Sequence, residues 1–202
     1  MRAEKMGQKE RVLFLPDWRE GNPYQSLLAA AVRKCGYRVD FDELRSIPFV
    51  LQVLRRSHPK AKVIHIHWID DLIASLLWST TPLKRAVRLW LLGLDILMLR
   101  FRGIRVVWTV HNLVSHESRD PDFEKRIRRT IARTANQLIF HSERARAMVE
   151  EAYGIRLCEK SAVIPHGNYA GFYATDPERV QQLRRELGLS IDDFVLLFFG
   201  AV

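Results

Sequence analysis

Cysteine is almost absent from this 202-residue chain, which holds only Cys35 and Cys158. The two lie far apart and carry no metal-ligand spacing, so a disulfide scaffold and a cysteine metal site are both excluded. A reduced, cytosolic setting is the simplest expectation. A leader is also missing: the first ten residues, Met1 to Glu10, are charged and have no apolar centre, unlike a secretory signal. No uninterrupted apolar run reaches membrane-spanning length. The longest candidate, Pro82 to Arg102, is broken by Arg88 and Asp95, whereas a span needs roughly twenty apolar residues. There is no zinc finger, no RNP-like strand and no basic region with heptads, so nucleic acid is not an expected partner. No repeat of fixed period and no low-complexity segment occurs.

What is present is an excess of positive charge. Lys and Arg number 32 against 23 Asp and Glu, giving +9 at neutral pH. Such a balance attracts polyanions: nucleic acid, anionic lipid or phosphorylated small molecules. Arginine dominates over lysine, which favours phosphate recognition. Much of the charge lies in runs such as Lys125 to Arg129, whose plain reading is a solvated helix face.

The second positive feature is a recurring pattern. Val106-Val107-Trp108-Thr109-Val110-His111-Asn112 is an apolar, β-branched run that stops on a polar pair. Val63 to Trp68, Leu138 to Ser142 and Ala162 to Asn168 repeat it, each ending near a histidine. Buried parallel strands have this composition, and their carboxyl ends form the edge where open α/β sheets bind ligands. Strands are expected at 11–18, 38–42, 62–68, 105–111, 137–141 and 161–165. Helices are expected at 22–36, 48–57, from Asp70 to Ser79, at 82–102, from Asp120 to about Ala135, and from Ser142 to Gly154. Asn22-Pro23 and Asp120-Pro121 supply a cap followed by proline at the first helical position.

Alternation of strand and helix implies βαβ units. The fold class is therefore α/β, a Rossmann-like parallel sheet flanked by helices. Residues 1–10 read as a tail, 11–169 as the Rossmann-like domain, and 170–193 as a linker and helix. Residues 194–202 contain the apolar run Phe194 to Gly200, which reads as the orphan first strand of a second domain, missing or supplied by a partner.

Two segments leave alternatives open. In the 82–102 helix, Arg88, Asp95 and Arg102 recur every seven residues and form one narrow polar stripe. The helix is either buried between sheet and helices or pressed into a bilayer interface through Trp90, Leu91 and Leu94. His65 and His67 share one face beside Asp70-Asp71, but no further ligand has suitable spacing, so no metal is expected and the pair either lines the site or packs.

The order of these elements resembles the N-terminal half of a GT-B glycosyltransferase, within the retaining, bacterial-type group 1 family. The residues that carry the resemblance are the turn Pro16 to Tyr24, Thr109-Val110-His111-Asn112, His141-Ser142-Glu143, Ile164 to Tyr169, and Leu197-Phe198-Phe199-Gly200. It implies a cleft between two domains, with the acceptor on this half and most of the nucleotide-sugar on the other. His111 then matches the histidine that contacts the donor sugar; its other reading is a loop cap. Arg19, Gly21 and Asn22 match the turn approaching the donor phosphates, although no GxGxxG occurs there. His166, Gly167 and Asn168 match the turn at the domain junction, with Gly167 at a positive φ. Asn112, His67 and Ser142 complete the expected lining. The resemblance implies a GDP- or UDP-sugar as donor, no further cofactor, and a lipid-linked or membrane-proximal saccharide acceptor. The orphan strand points to a C-terminal-domain partner chain or a homodimer, and the basic patches with the 82–102 helix point to peripheral contact with the inner face of the plasma membrane. The competing expectation is a non-catalytic scaffold whose terminal strand completes a partner's sheet.

Overall fold

The computed structural model describes residues 10–20, 22–43, 61–77, 81–115, 118–169, 171–174 and 176–198. The expected helix at 48–57, Gly21 and the end of the terminal strand lie outside them. The chain divides into two compact units, 1–167 and 168–202.

The first unit is built on six parallel strands: β1 (Arg11–Leu15), β2 (Arg38–Phe41), β3 (Ala61–Ile66), β4 (Arg105–Thr109), β5 (Gln137–Phe140) and β6 (Ser161–Val163), in the order β2-β1-β3-β4-β5-β6. Val12, Leu13, Phe14, Ile64, Ile66, Val106, Trp108, Leu138 and Phe140 are buried, as strands covered on both faces require. Trp108 is fully enclosed at the centre. The sheet is the Rossmann-like one expected.

The helices are α1 (Pro23–Lys34), α2 (Asp70–Leu77), α3 (Pro82–Phe101), α4 (Pro121–Thr134) and α5 (Glu143–Tyr153). Their starts follow local chemistry. Asn22 accepts from the Tyr24 amide at 3.0 Å, Asp120 from Phe123 at 3.1 Å and Ser142 from Ala145 at 3.1 Å. Each bond satisfies a donor that the helix cannot. Gly154 closes α5 at φ +58°, the left-handed position glycine takes without strain.

Three expectations need correcting. The strands end earlier than the apolar runs: β4 stops at Thr109 and β1 at Leu15, because the residues beyond turn out of the ladder towards the rim. Gly167 is not among the positive-φ glycines, and nothing lies within 4 Å of where its Cβ would sit. Its turn is made with ordinary backbone angles. Two of the three members of the polar stripe of α3 face inward, Asp95 being buried and Arg88 donating from Nη1 to the Ser75 carbonyl at 2.9 Å, while Arg102 is exposed. The apolar residues Trp90, Leu91 and Leu94 therefore point outward and are exposed.

The second unit contains α6 (Pro177–Glu186), capped by Asp176, which accepts from the amides of Glu178 and Arg179. Phe194 to Phe198, expected as a strand, pairs with no strand among the described residues, and its side chains are exposed. A strand needs a hydrogen-bonded neighbour, and the described part of this unit offers none.

Candidate functional site

In this strand order β1 lies between β2 and β3. The connections leaving β1 and β3 therefore depart to opposite sides, opening a crevice at their carboxyl ends. The polar ends of the apolar runs meet there. Tyr24 comes from the first turn of α1, His67 and Trp68 directly follow β3, and His111 follows β4. His141 follows β5 and His166 follows β6.

Tyr24 is the hub of this rim. Its ring centroid lies 4.9 Å from His166, 5.2 Å from His111, 5.7 Å from His67 and 5.8 Å from His141. Trp68 stacks between Trp18, at 4.8 Å, and His111, at 4.5 Å with the planes 9° apart. Gln25 holds the wall that bears Trp18: fully buried, it accepts from the Trp18 amide at 2.8 Å and donates to the Pro16 carbonyl at 2.7 Å. His65 lies one layer deeper, 2.8 Å from the Thr109 hydroxyl.

The three innermost imidazoles, His65, His67 and His111, are held neutral. Burial, reinforced by the neighbouring His111, pushes the His65 pKa down to about 3. Burial followed by repulsion from His141 and His166 does the same for His111, also to about 3. His67 is driven well below its ordinary value by burial and by three neighbouring imidazoles. Neutral imidazoles both donate and accept hydrogen bonds. Both ring nitrogens of His67, Nε2 of His111 and Nε2 of His141 are buried without a hydrogen-bond partner among the described residues. His141 donates from Nδ1 to the Ile164 carbonyl at 3.0 Å. Unmet nitrogens beside flat aromatic faces fit a polyol with apolar ring faces.

Several expected residues play different parts here. Arg19 is held in a two-pronged pair with Asp17, at 2.8 and 2.7 Å, and lies 3.9 Å over the Phe41 ring. Asn22 and Ser142 cap their helices. Asn112 offers its backbone carbonyl to Arg128. Gly167 is exposed, and Asn168 belongs to the second unit. Among the described residues no group of three or more His, Cys, Asp or Glu is arranged to hold a metal.

Sequence reasoning singled out the turn that bears Trp18 and Tyr24 and the run that ends on His141 without assigning these side chains to the lining, and it missed Gln25 altogether. For His141 the signal was available, because it ends its apolar run as His111 does. Arg128 was read as part of a solvated run; it is instead buried. Its Nη2 lies 2.7 Å from Glu124, which is wholly enclosed, and 3.4 Å from Asp70, while Nη1 donates to the Asn112 carbonyl at 3.2 Å. Glu124 in turn accepts from the Ser115 amide at 2.7 Å. This network holds the segment after His111 and floors a second cavity of about 600 Å³. Ile73, Ala74 and Leu77 form its apolar wall, with Arg85 and Asp120 paired at its edge.

Comparison with known proteins agrees with this architecture. The structure of HepE from Anabaena in complex with UDP-glucose superposes with a TM-score of 0.51 at 17% identity, covering 88% of this chain and 50% of that one. HepE in complex with UDP alone gives a TM-score of 0.48 at 15% identity, covering 89% and 50%. TesA gives 0.43 at 16% identity, covering 64% and 77%. The chain thus spans about half the length of the HepE structures, and the likeness to the UDP-glucose complex shows a shared fold. No curated protein matches the chain. The family model for Glycosyltransferase Family 4 matches residues 9–168, the whole of the sheet and its rim, and the chain belongs to that family.

Proposed function

We propose that this chain is the acceptor-side half of a glycosyltransferase that moves a sugar from a nucleotide-sugar donor to a lipid-linked or membrane-proximal saccharide. The observation that carries the reading is the neutral rim of imidazoles around Tyr24, with unmet nitrogens, at the crevice of a Family 4 sheet. His111 bonds a hydroxyl of the donor sugar, and Trp68 fixes its ring plane by stacking. His67 and His141 serve neighbouring hydroxyls. A neutral rim suits sugars but not phosphates, and Arg19 is already committed to Asp17. Charge for the departing diphosphate is therefore assigned to a C-terminal domain or partner chain. Transfer proceeds by electrostatic stabilisation of an oxocarbenium-like state and of that diphosphate. HepE binds UDP-glucose, which favours a UDP-sugar over a GDP-sugar. The reaction is placed at the inner face of the plasma membrane. The alternative, a scaffold that completes a partner's sheet, draws on the exposed run Phe194 to Phe198.

The test starts with native mass spectrometry of the chain co-expressed with its genomic neighbours. Capture of a second α/β chain that confers nucleotide-sugar binding supports the reading. In that complex His111→Ala is expected to lower kcat about a hundredfold with a smaller change in KM. Absence of nucleotide-sugar binding with every partner, or an unchanged kcat, overturns it.

A further inference from the structure

α3 is amphipathic in the reverse of the usual sense. Leu92, Ile96 and Leu99 pack into the core together with Asp95, and Arg88 bonds back to α2. The outward face carries Leu83, Val87, Trp90, Leu91, Leu94, Leu97, Met98 and Phe101. Leu83 is 76% exposed, Trp90 65% and Phe101 91%. At 100° per residue these eight side chains fall within an arc of about 120° and run for about 27 Å along the helix. A face of this size is uncommon on a soluble surface without a partner. Beside Gly93 it deepens into an apolar groove of about 390 Å³, closed on one side by Thr130 of α4.

Cations border the face on both sides. Lys84 and Arg102 lie along one edge of α3. Across the groove Arg126 and Arg133 share the α4 face that bears Thr130, and Arg100 reaches over to donate to the Thr134 carbonyl at 3.0 Å. The acid of the helix, Asp95, is buried.

We propose that this face of α3 docks in the interface of an anionic lipid bilayer, parallel to its plane, with Trp90 and Leu94 in the acyl boundary and the arginines on the headgroup phosphates. No described helix is long and apolar enough to cross a membrane, so the contact is with one leaflet. An apolar face with a basic border is complementary to such a surface. It is not complementary to a second copy of itself, because a two-fold contact would set each basic border against its own image. The inference holds whichever sugar the rim takes, and its test contains no sugar.

The 202-residue chain is floated with vesicles of phosphatidylcholine, with and without phosphatidylglycerol. Wild type is expected to float with the anionic vesicles, and less as salt is raised. Trp90→Glu and Leu94→Glu each should lower the partition coefficient at least about tenfold. Trp90 is 65% exposed, so the melting temperature of Trp90→Glu should stay put. The proposal is overturned if wild type ignores anionic vesicles, if the glutamate variants float equally well, or if the chain is a dimer that Trp90→Glu dissociates. In the last case a second copy is the occupant.

Discussion

Acidification provides a direct test of the uncharged imidazole beneath the rim. His65 is fully enclosed against Phe14, with ring centroids 5.0 Å apart, and its pKa is held at about 3 against 6.5 in an open chain. Below pH 6.5 the unfolded chain takes up a proton that the folded chain refuses. Stability therefore falls as pH falls from 6.5 towards 3, and is unaffected by this group above 6.5. The slope is about 1.4 kcal/mol per pH unit for each such group. Between pH 6.5 and 4.5 His65 alone removes about 2 kcal/mol, a sizeable share of the roughly 5–15 kcal/mol that holds a typical domain. His67 acts with the same sign, and His111, with an exposed edge, contributes less. The assay is urea unfolding at fixed ionic strength from pH 7.5 to 4.5, for wild type and His65→Asn. The asparagine does not titrate, and it is too short to meet the Thr109 hydroxyl that Nε2 of His65 reaches at 2.8 Å. Carboxylates contribute equally to both proteins, so the difference isolates His65. The variant should be the less stable at pH 7.5, having lost the ring, yet its curve should be flatter by about 1.4 kcal/mol per unit. Parallel curves would show that His65 takes up its proton equally in the folded and unfolded chain, and the exclusion of charge from the layer beneath the rim would then be refuted.

Two further substitutions probe the supports of the site. Arg128→Met leaves Glu124 buried without its cation, and equilibrium unfolding should show a loss of about 3–5 kcal/mol; adding Glu124→Gln should restore part of it. Asp120→Ala removes the α4 cap and a partner of Arg85, with an expected cost of about 1 kcal/mol in the same assay.

Local chemistry was legible in the chain. Asn22-Pro23, Asp120-Pro121 and Ser142 announce helix starts because a cap satisfies amides within three residues of itself. The apolar runs announce strands, and the histidines at their ends announce an edge. What the sequence left hidden depends on contacts across the sheet. Tyr24 is a hub only because β1 lies beside β3 and carries it up to His67 and His111. The orientation of α3 was equally hidden: a seven-residue polar period defines a stripe, but not whether that stripe meets solvent or the core. Ser75 and the surroundings of Asp95 decide it. Arg128 stands four residues after Glu124, which suggests a pair, yet five consecutive residues rich in cations gave no sign that one of them was enclosed.

The guanidinium of Arg128 has a further consequence for how this fold can diverge. Its donors lie in one rigid plane and address three elements at once: Asp70 on α2, Glu124 on α4 and the carbonyl of Asn112 beside His111. Lysine could serve only one of these in the same geometry. Asp70 and Glu124 also line the second cavity. A descendant that reshapes the cavity by changing either acid also releases the segment that sets His111. Cavity and rim are thus mechanically coupled through one side chain, whereas Ile73, Ala74 and Leu77 of the apolar wall make no bond to that plane.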